Sequence, residues 1–350
     1  MIDLDDALAI IARAPRSPAE ETVPLAEALG RVLARPVVSP IDSPPFDKAA
    51  MDGFAVAADD DSPAFRILDT VAAGAGAGRP VRRGECARIM TGAMLPPGTG
   101  RVIRKEFVEE KDGAIRPVQP EPGSNVIPRA SNLSRGDTLL GPKVLAPQDI
   151  GILAASGIAE VPVAVPPETV ILCTGPEIRA AGEPLGPGQI YDSNGPQLAA
   201  QLAAMRCPSR RAGTVADEPA ALTRALEEAF GSCGLLLLTG GVSAGDFDFV
   251  PGCLEALGAE ILFHGVAVKP GKPTLFARRG GTWIFGLPGN PVSTFVIFEV
   301  FVRPFLYRSM GIDWAPRTVR GTLGAPVRRR SAERTEFLPV TVRGGVVTPV

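Results

Sequence analysis

Four leucines in a row, Leu235 to Leu238, run straight into Thr239-Gly240-Gly241 and then a serine and two aspartates, in LLLLTGGVSAGDFDF. Successive side chains of a strand point to opposite faces, so an unbroken leucine run buries both of them. Such a strand belongs in a parallel sheet with helices on either side. Its neighbours agree. Val170 to Cys173, Ile261 to Val268, Thr274 to Ala277 and Trp283 to Phe285 read as strands. Pro196 to Met205, Asp217 to Phe230 and Phe249 to Leu257 read as helices, the first capped by Asp192, Ser193 or Asn194. A last helix opens at GNPVS, with Asn290 as cap and Pro291 in the first turn, where its missing N–H costs nothing, and runs to about Ser309. The expectation is an α/β domain over 167–310 with a mainly parallel sheet, entered through Pro166-Pro167. Ligands of such sheets bind outside the carboxyl ends of the strands.

The flanks differ in kind. Residues 1–166 open with a helix that Asp3 can cap, with Leu4, Ala7, Leu8 and Ile11 at helical spacing, and a second short helix over Leu25 to Leu33. From Pro36 onward FAVAA, FRIL, ARIM, RVIRKEFV and NVIP alternate with Gly and Pro, which predicts a β-rich module. Residues 311–350 read as short strands, TVRGTL, FLPVTV and GVVTPV, and fall short of what a small β-domain needs to close.

Composition removes several functions. Lys+Arg 36 against Asp+Glu 38 leaves a net charge of −2, so there is no basic footprint for nucleic acid. The five cysteines have no CxxC spacing and His264 is the only histidine, which argues against structural zinc and against a disulfide framework. A reducing, cytoplasmic setting is expected. MIDLDDALAIIARAP lacks the basic start of a signal peptide, and the apolar run FVIFEVFV is broken by Glu299, so no membrane span is expected.

The chemistry concentrates at strand ends. Gly240 and Gly241 let the chain turn sharply; Thr239, Ser243 and the N–H groups of the following helix suit an anion, and Asp246 and Asp248 suit magnesium. A glycine turn with an aspartate cap would look the same. Strand VILC also meets Thr-Gly, in TGPEI, and RIM meets TGAMLPPG. This puts Glu177 and Asp246 on one edge of one sheet, as ligands or as solvated carboxylates. VKPGKPTLF holds two of the six lysines, Lys269 and Lys272, on a proline-stiffened loop that fits an oxyanion or a solvated turn. GLPGNPVS adds a helix N-terminus with Asn290 and Ser293. Asp47 and Asp52 lie beside a proline turn and a Met-Asp-Gly, and Glu299 and Arg303 are spaced as a helix ion pair.

Taken together, SPPFDKAAMDGFAV, TGAMLPPG, GQIYDSN, TGGVSAGDFDFV, KPGKP and GLPGNPVSTF occur in the order and spacing of the molybdopterin molybdenumtransferases, the MoeA and gephyrin E-domain family. Each motif is weak alone; the set is specific and spans nearly the whole chain. The resemblance implies insertion of molybdate into adenylylated molybdopterin, a divalent cation (magnesium), release of AMP, and a homodimer with shared clefts. The adenylyltransferase that makes the substrate and molybdoenzymes that accept the cofactor are the further partners it implies. By resemblance, Asp52 and Thr91 come from the partner subunit. Glu177, Asp246 and Asp248 face the cation or phosphoanhydride, with Glu177 and Asp246 as metal ligands. Lys269, Lys272 and Ser293 hold molybdate or phosphate oxygens, and Gly240, Gly241, Ser243, Pro288, Asn290 and Arg334 belong to the same substrate-binding set. Asp192, Ser193 and Asn194 shape the pterin pocket. The sequence departs from the family at Pro176, at Ser131 and Asn132, at Met94 and in the short C-terminal domain. These departures set a second expectation beside the enzyme: a carrier that binds molybdopterin without turnover. A different enzyme on the same α/β domain is a third, opposed by the N-terminal module.

Overall fold

The computed structural model describes residues 1–14, 19–242, 249–329 and 333–350. Two compact units are present: Met1–Arg35 with Pro142–Ala146 and Glu160–Val350, and Pro36–Gly141 with Pro147–Ala159. The grouping differs from a boundary at residue 166, because the first 35 residues cluster with the α/β sheet.

The first unit is built on six strands: β1 (Thr169–Thr174), β2 (Ser209–Val215), β3 (Leu235–Thr239), β4 (Glu260–His264), β5 (Leu275–Arg279) and β6 (Thr282–Leu287), in the order β2-β1-β3-β6-β5-β4. β2, β1, β3 and β6 run parallel; β5 and β4 close the other side antiparallel. The four leucines of β3 are all 0 % exposed. Leu235 and Leu237 join Ile171, Phe285 and Phe301 on one face, while Leu236 and Leu238 join Val170, Leu222 and Leu254 on the other. Each buried leucine contributes about 1.5–3 kcal/mol, which fixes the strand between two helix layers. Those layers include α1 (Asn194–Ala204), α2 (Pro219–Phe230), α3 (Val250–Ala256) and α4 (Pro291–Ile297). α4 continues through a π turn, Phe298–Val302, into a helix over Arg303–Ser309. The expected Glu299–Arg303 pair forms at 2.6 Å.

The N-terminal helix, Leu4–Ile11, buries Ala7 and Ile11 in the same core; Asp3 holds its cap position without a side-chain capping bond. The expected second helix is a single 3₁₀ turn, Leu25–Glu27. It ends at an Ala28 cap; beyond it Gly30 takes φ +78°, and the chain places Gly30 N on Leu145 O and Leu33 N on Lys143 O. At the other end, Thr335–Glu336 pairs in parallel with Val268–Lys269, and Thr322–Leu323, Val346–Pro349 and Val340–Arg343 form a three-stranded sheet.

The second unit holds a six-stranded sheet of Arg101–Arg104, Gly53–Val56, Glu85–Ile89, Phe65–Val71, Ala114–Pro117 and Val108–Lys111, in that spatial order. The strand expected over RVIRKEFV stops at Arg104 and becomes a 3₁₀ turn, Lys105–Phe107. Pro147–Ala155 is a helix within a stretch read as strand-rich. Among the described residues no helix is long and apolar enough to cross a membrane.

Candidate active site

The carboxyl ends of β1 and β3 open into a cavity of about 210 Å³, lined among others by Glu177, Asp192, Asp217 and Gly240. Each wall has a sequence cause. β1 ends at Thr174, and Gly175 follows at φ +139°. A Cβ there would stand 2.8 Å from both carboxylate oxygens of Glu177, so only glycine lets the half-buried glutamate fold back over the strand end. Ile178–Arg179 then pairs in parallel with Ile190–Tyr191, and Asp192 N donates to Arg179 O at 2.7 Å. This ribbon delivers Asp192, Ser193 and Asn194 to the start of α1.

Of the three candidate caps, Asp192 does the work. Its Oδ1 accepts from Gly195 N at 2.8 Å and its Oδ2 from Arg211 at 2.9 Å. Ser193 stands at the cap position with no side-chain bond, and Asn194 is already the first helical residue. Asn194 Nδ2 donates to Gly289 O at 2.8 Å, which ties the start of α1 to the turn before α4. Gly240 (φ +87°) and Gly241 (φ +61°) form the turn after β3, and Gly240 N donates to Leu287 O of β6. Cys173 also lines the cavity; burial pushes its thiol up to about 11, so without a metal it stays protonated at neutral pH.

The sequence-predicted residues fall into several places. Glu177, Asp192, Ser193, Asn194, Gly240 and Gly241 line this cavity. Ser243, Asp246 and Asp248 lie outside the described residues. Asn290 caps α4 through Oδ1, which accepts from Val292 N and Ser293 N at 3.0 and 3.3 Å, and Ser293 is buried. Pro288 O accepts from Thr294 Oγ1. Of that turn, Gly289 and Pro291 line the cavity, whereas Pro288, Asn290 and Ser293 do not. Lys269 and Lys272 are exposed, and Lys269 Nζ donates to Glu336 at 2.6 Å. That pair holds the lysine loop against the segment of Arg334, which lines a separate cavity of about 450 Å³ with Asp3, Asp5 and Glu336.

In the strand-rich unit, Asp52 and Thr91 meet directly. Asp52 Oδ1 accepts from Thr91 N at 2.8 Å and from Thr91 Oγ1 at 2.7 Å, and Oδ2 faces Lys105 Nζ at 3.3 Å. The Thr91 amide first, then its hydroxyl and Lys105, lower the Asp52 carboxyl to about 2. It is therefore a carboxylate throughout the neutral range.

Sequence reasoning misses Asp217 and Arg211. Asp217 reads as the first residue of a helix, but α2 starts at Pro219, which leaves Asp217 in the cavity wall. Arg211 belongs to β2, an edge strand with six of seven residues exposed, whose polar sequence carries no strand pattern. Among the described residues no three acidic, cysteine or histidine side chains converge as a metal cluster. Glu177 and Asp217 share the cavity wall, and that donor set fits magnesium, which takes one or two carboxylates and completes its shell with water and phosphate oxygens.

Comparison with known proteins bears on both units. Residues 2–157 match the family model described as MoeA N-terminal region (domain I and II), and residues 170–308 match the probable molybdopterin binding domain. A molybdopterin molybdenumtransferase of Haemophilus influenzae is 36% identical over 319 residues, covering 89% of this chain and 78% of the relative. One from Bacillus subtilis is 34% identical over 319 residues, covering 87% and 74%. A solved molybdopterin biosynthesis MoeA protein of Pyrococcus horikoshii superposes with a TM-score of 0.84 at 32% identity, covering 100% of this chain and 90% of that one. A second structure from that organism gives 0.86 at 29% identity, covering 100% and 89%.

Proposed function

This chain belongs to the molybdopterin molybdenumtransferase (MoeA) family, and from that premise we propose its step in molybdenum cofactor biosynthesis. It inserts molybdate into adenylylated molybdopterin and releases AMP. The observation that carries the reading is the cavity at the carboxyl ends of β1 and β3, where Glu177 and Asp217 stand beside the Gly240–Gly241 turn. Substrate phosphates need a countercharge in such an acidic wall. Glu177 and Asp217 would hold a magnesium ion there, together with Asp246 from the undescribed stretch. Bound, the cation would neutralise charge on the phosphate oxygens.

The protein's own groups supply the rest. Asp192, held by Arg211, fixes the start of α1 and so the shape of the cavity. Lys269, Lys272 and Arg334 supply positive charge for the incoming oxyanion, with the Lys269–Glu336 pair setting the loop. Asp52, kept ionised by Thr91 and Lys105, would be a fixed carboxylate that the other copy of the homodimer brings to the substrate. The acting species is a homodimer; a single-chain mass in sedimentation at assay concentration would sink that part of the reading.

The test is AMP release from adenylyl-molybdopterin by the purified chain with magnesium, with and without molybdate. Molybdate-dependent release, lost on chelation of the divalent cation and in Asp217→Asn, is expected. Tight binding with no release would replace the transferase with a carrier, the alternative that Pro176 and Asn132 favour. Release indifferent to molybdate would make it a different hydrolase.

A further inference from the structure

Two polar atoms in the wall of the carboxyl-end cavity have no partner among the described residues. Thr174 Oγ1 and Asn194 Oδ1 are both shielded from water and make no hydrogen bond among the described residues. Their residues are 6 % and 9 % exposed, and both line the cavity. A buried polar group without a partner carries its desolvation penalty uncompensated, so two in one wall need a cause.

The surroundings fix both atoms in place. Asn194 cannot exchange its amide atoms, because Nδ2 donates to Gly289 O at 2.8 Å and an oxygen there would face another oxygen. Its Oδ1 is therefore an acceptor with nothing to accept. Thr174 sits under the glycine turn. A Cβ on Gly240 would stand 2.7 Å from Thr174 Oγ1, and one on Gly241 3.1 Å. Both glycines have positive φ, so the turn lies against the hydroxyl where other residues would push it away.

The chemistry of the missing ligand group follows. Asn194 Oδ1 needs an N–H or O–H donor, and Thr174 Oγ1 can accept or donate. Glu177, Asp192 and Asp217 lie in the same wall, so an anionic group would meet the Asn194 acceptor and an acidic surround. A neutral ring edge bearing N–H matches both. We propose that Thr174 and Asn194 determine specificity by reading the N–H-bearing edge of a heterocycle on the substrate. This rests on the reading above, in which the substrate carries two such rings, the pterin and the adenine; both present an amino group beside a ring nitrogen.

The experiment is calorimetric titration of native protein, Thr174→Val and Thr174→Ser with two probes, pterin and AMP, alongside melting temperatures without ligand. Valine keeps the shape and removes the hydroxyl. Thr174→Val is expected to weaken at least one probe about tenfold, the probe affected naming the ring, while Thr174→Ser stays within about twofold. Because the hydroxyl has no partner among the described residues, the valine variant should melt no lower than native. Asn194→Ala should weaken the same probe. Overturning results are native protein that binds neither probe, valine binding within about twofold for both, or a loss accompanied by a lower melting temperature. Molybdate-dependent AMP release with unchanged valine binding would sink this inference alone. The expected probe pattern without such release would sink the proposed activity alone.

Discussion

At the scale of single residues, geometry decides what side chains of ordinary type can do. Gly195 is a case that no motif marks. A Cβ at that position would stand 2.5 Å from Asp192 Oδ2 and 3.1 Å from Arg211 Nε. Gly195→Ala should therefore push Asp192 off both partners and cost about 1–3 kcal/mol in denaturant unfolding, the usual penalty for uncoupling a buried polar group. An unchanged midpoint would mean that the pair tolerates displacement. Asp52 offers a second residue-scale test. Its carboxyl is depressed from 3.8 to about 2, with the Thr91 amide as the largest cause. A depressed acid contributes stability that is complete above its unfolded value and is lost as pH falls through the folded one. The window here is thus pH 3.8 down to about 2. Carbon-detected NMR titration should place the Asp52 midpoint near that lower value in the native chain. In Thr91→Ala, which keeps the amide and loses the hydroxyl, the midpoint should lie between the two. A native midpoint at 3.8 would remove the cluster as an electrostatic unit.

At the scale of elements, the helix that opens at Pro291 was legible because its sequence carries its own start signal. Asn290 accepts from two backbone N–H groups that have no partner within the helix, and Pro291 gives up none. Asn290→Ala should cost about 1 kcal/mol of stability in ligand-free protein, and Asn290→Asp should recover most of it. If alanine changed only substrate affinity, the residue would be a ligand rather than a cap. The same logic separates what the sequence revealed from what it hid. β3 was readable because four leucines admit no solvated face, and the glycine turn after it because few residues tolerate its φ values. β2 was hidden: an edge strand with one bonded neighbour needs no apolar alternation, and SRRAGTV has none. Leu25 to Leu33 has helical composition, but Gly30 and the backbone bonds to Lys143 and Leu145 override it. Asp192 stood out only as one of three possible caps; which one accepts from Gly195 depends on the ribbon that carries it. The distant pairing of Asp192 with Arg211 has no local sequence signal at all.

At the scale of the whole molecule, two units hold separate cores, and that separation has a thermodynamic consequence. The α/β sheet is stabilised by Leu235 to Leu238 and the apolar helices on either side. The strand-rich unit has cores of its own, one around Ala55, Val71 and Ile89 and the other around Phe54, Phe65 and Ile115. A chain of 350 residues with distinct cores is where single-transition unfolding fails. Leu237, at 0 % exposure, and Phe54, at 1 %, report on one unit each. Leu237→Ala should cost about 2–5 kcal/mol and Phe54→Ala about 3–5 kcal/mol. Each loss should appear as a downward shift of one calorimetric transition and leave the other nearly in place. The test has a built-in control, since Gly53 sits beside Phe54 in the same strand and a Cβ on it would stand 2.0 Å from Ile103 O. Gly53→Ala must therefore move the same transition as Phe54→Ala if the units unfold separately. A single transition that all three variants lower together would mean that the two cores melt as one, and that a substitution in either unit reaches the candidate active site through global stability alone.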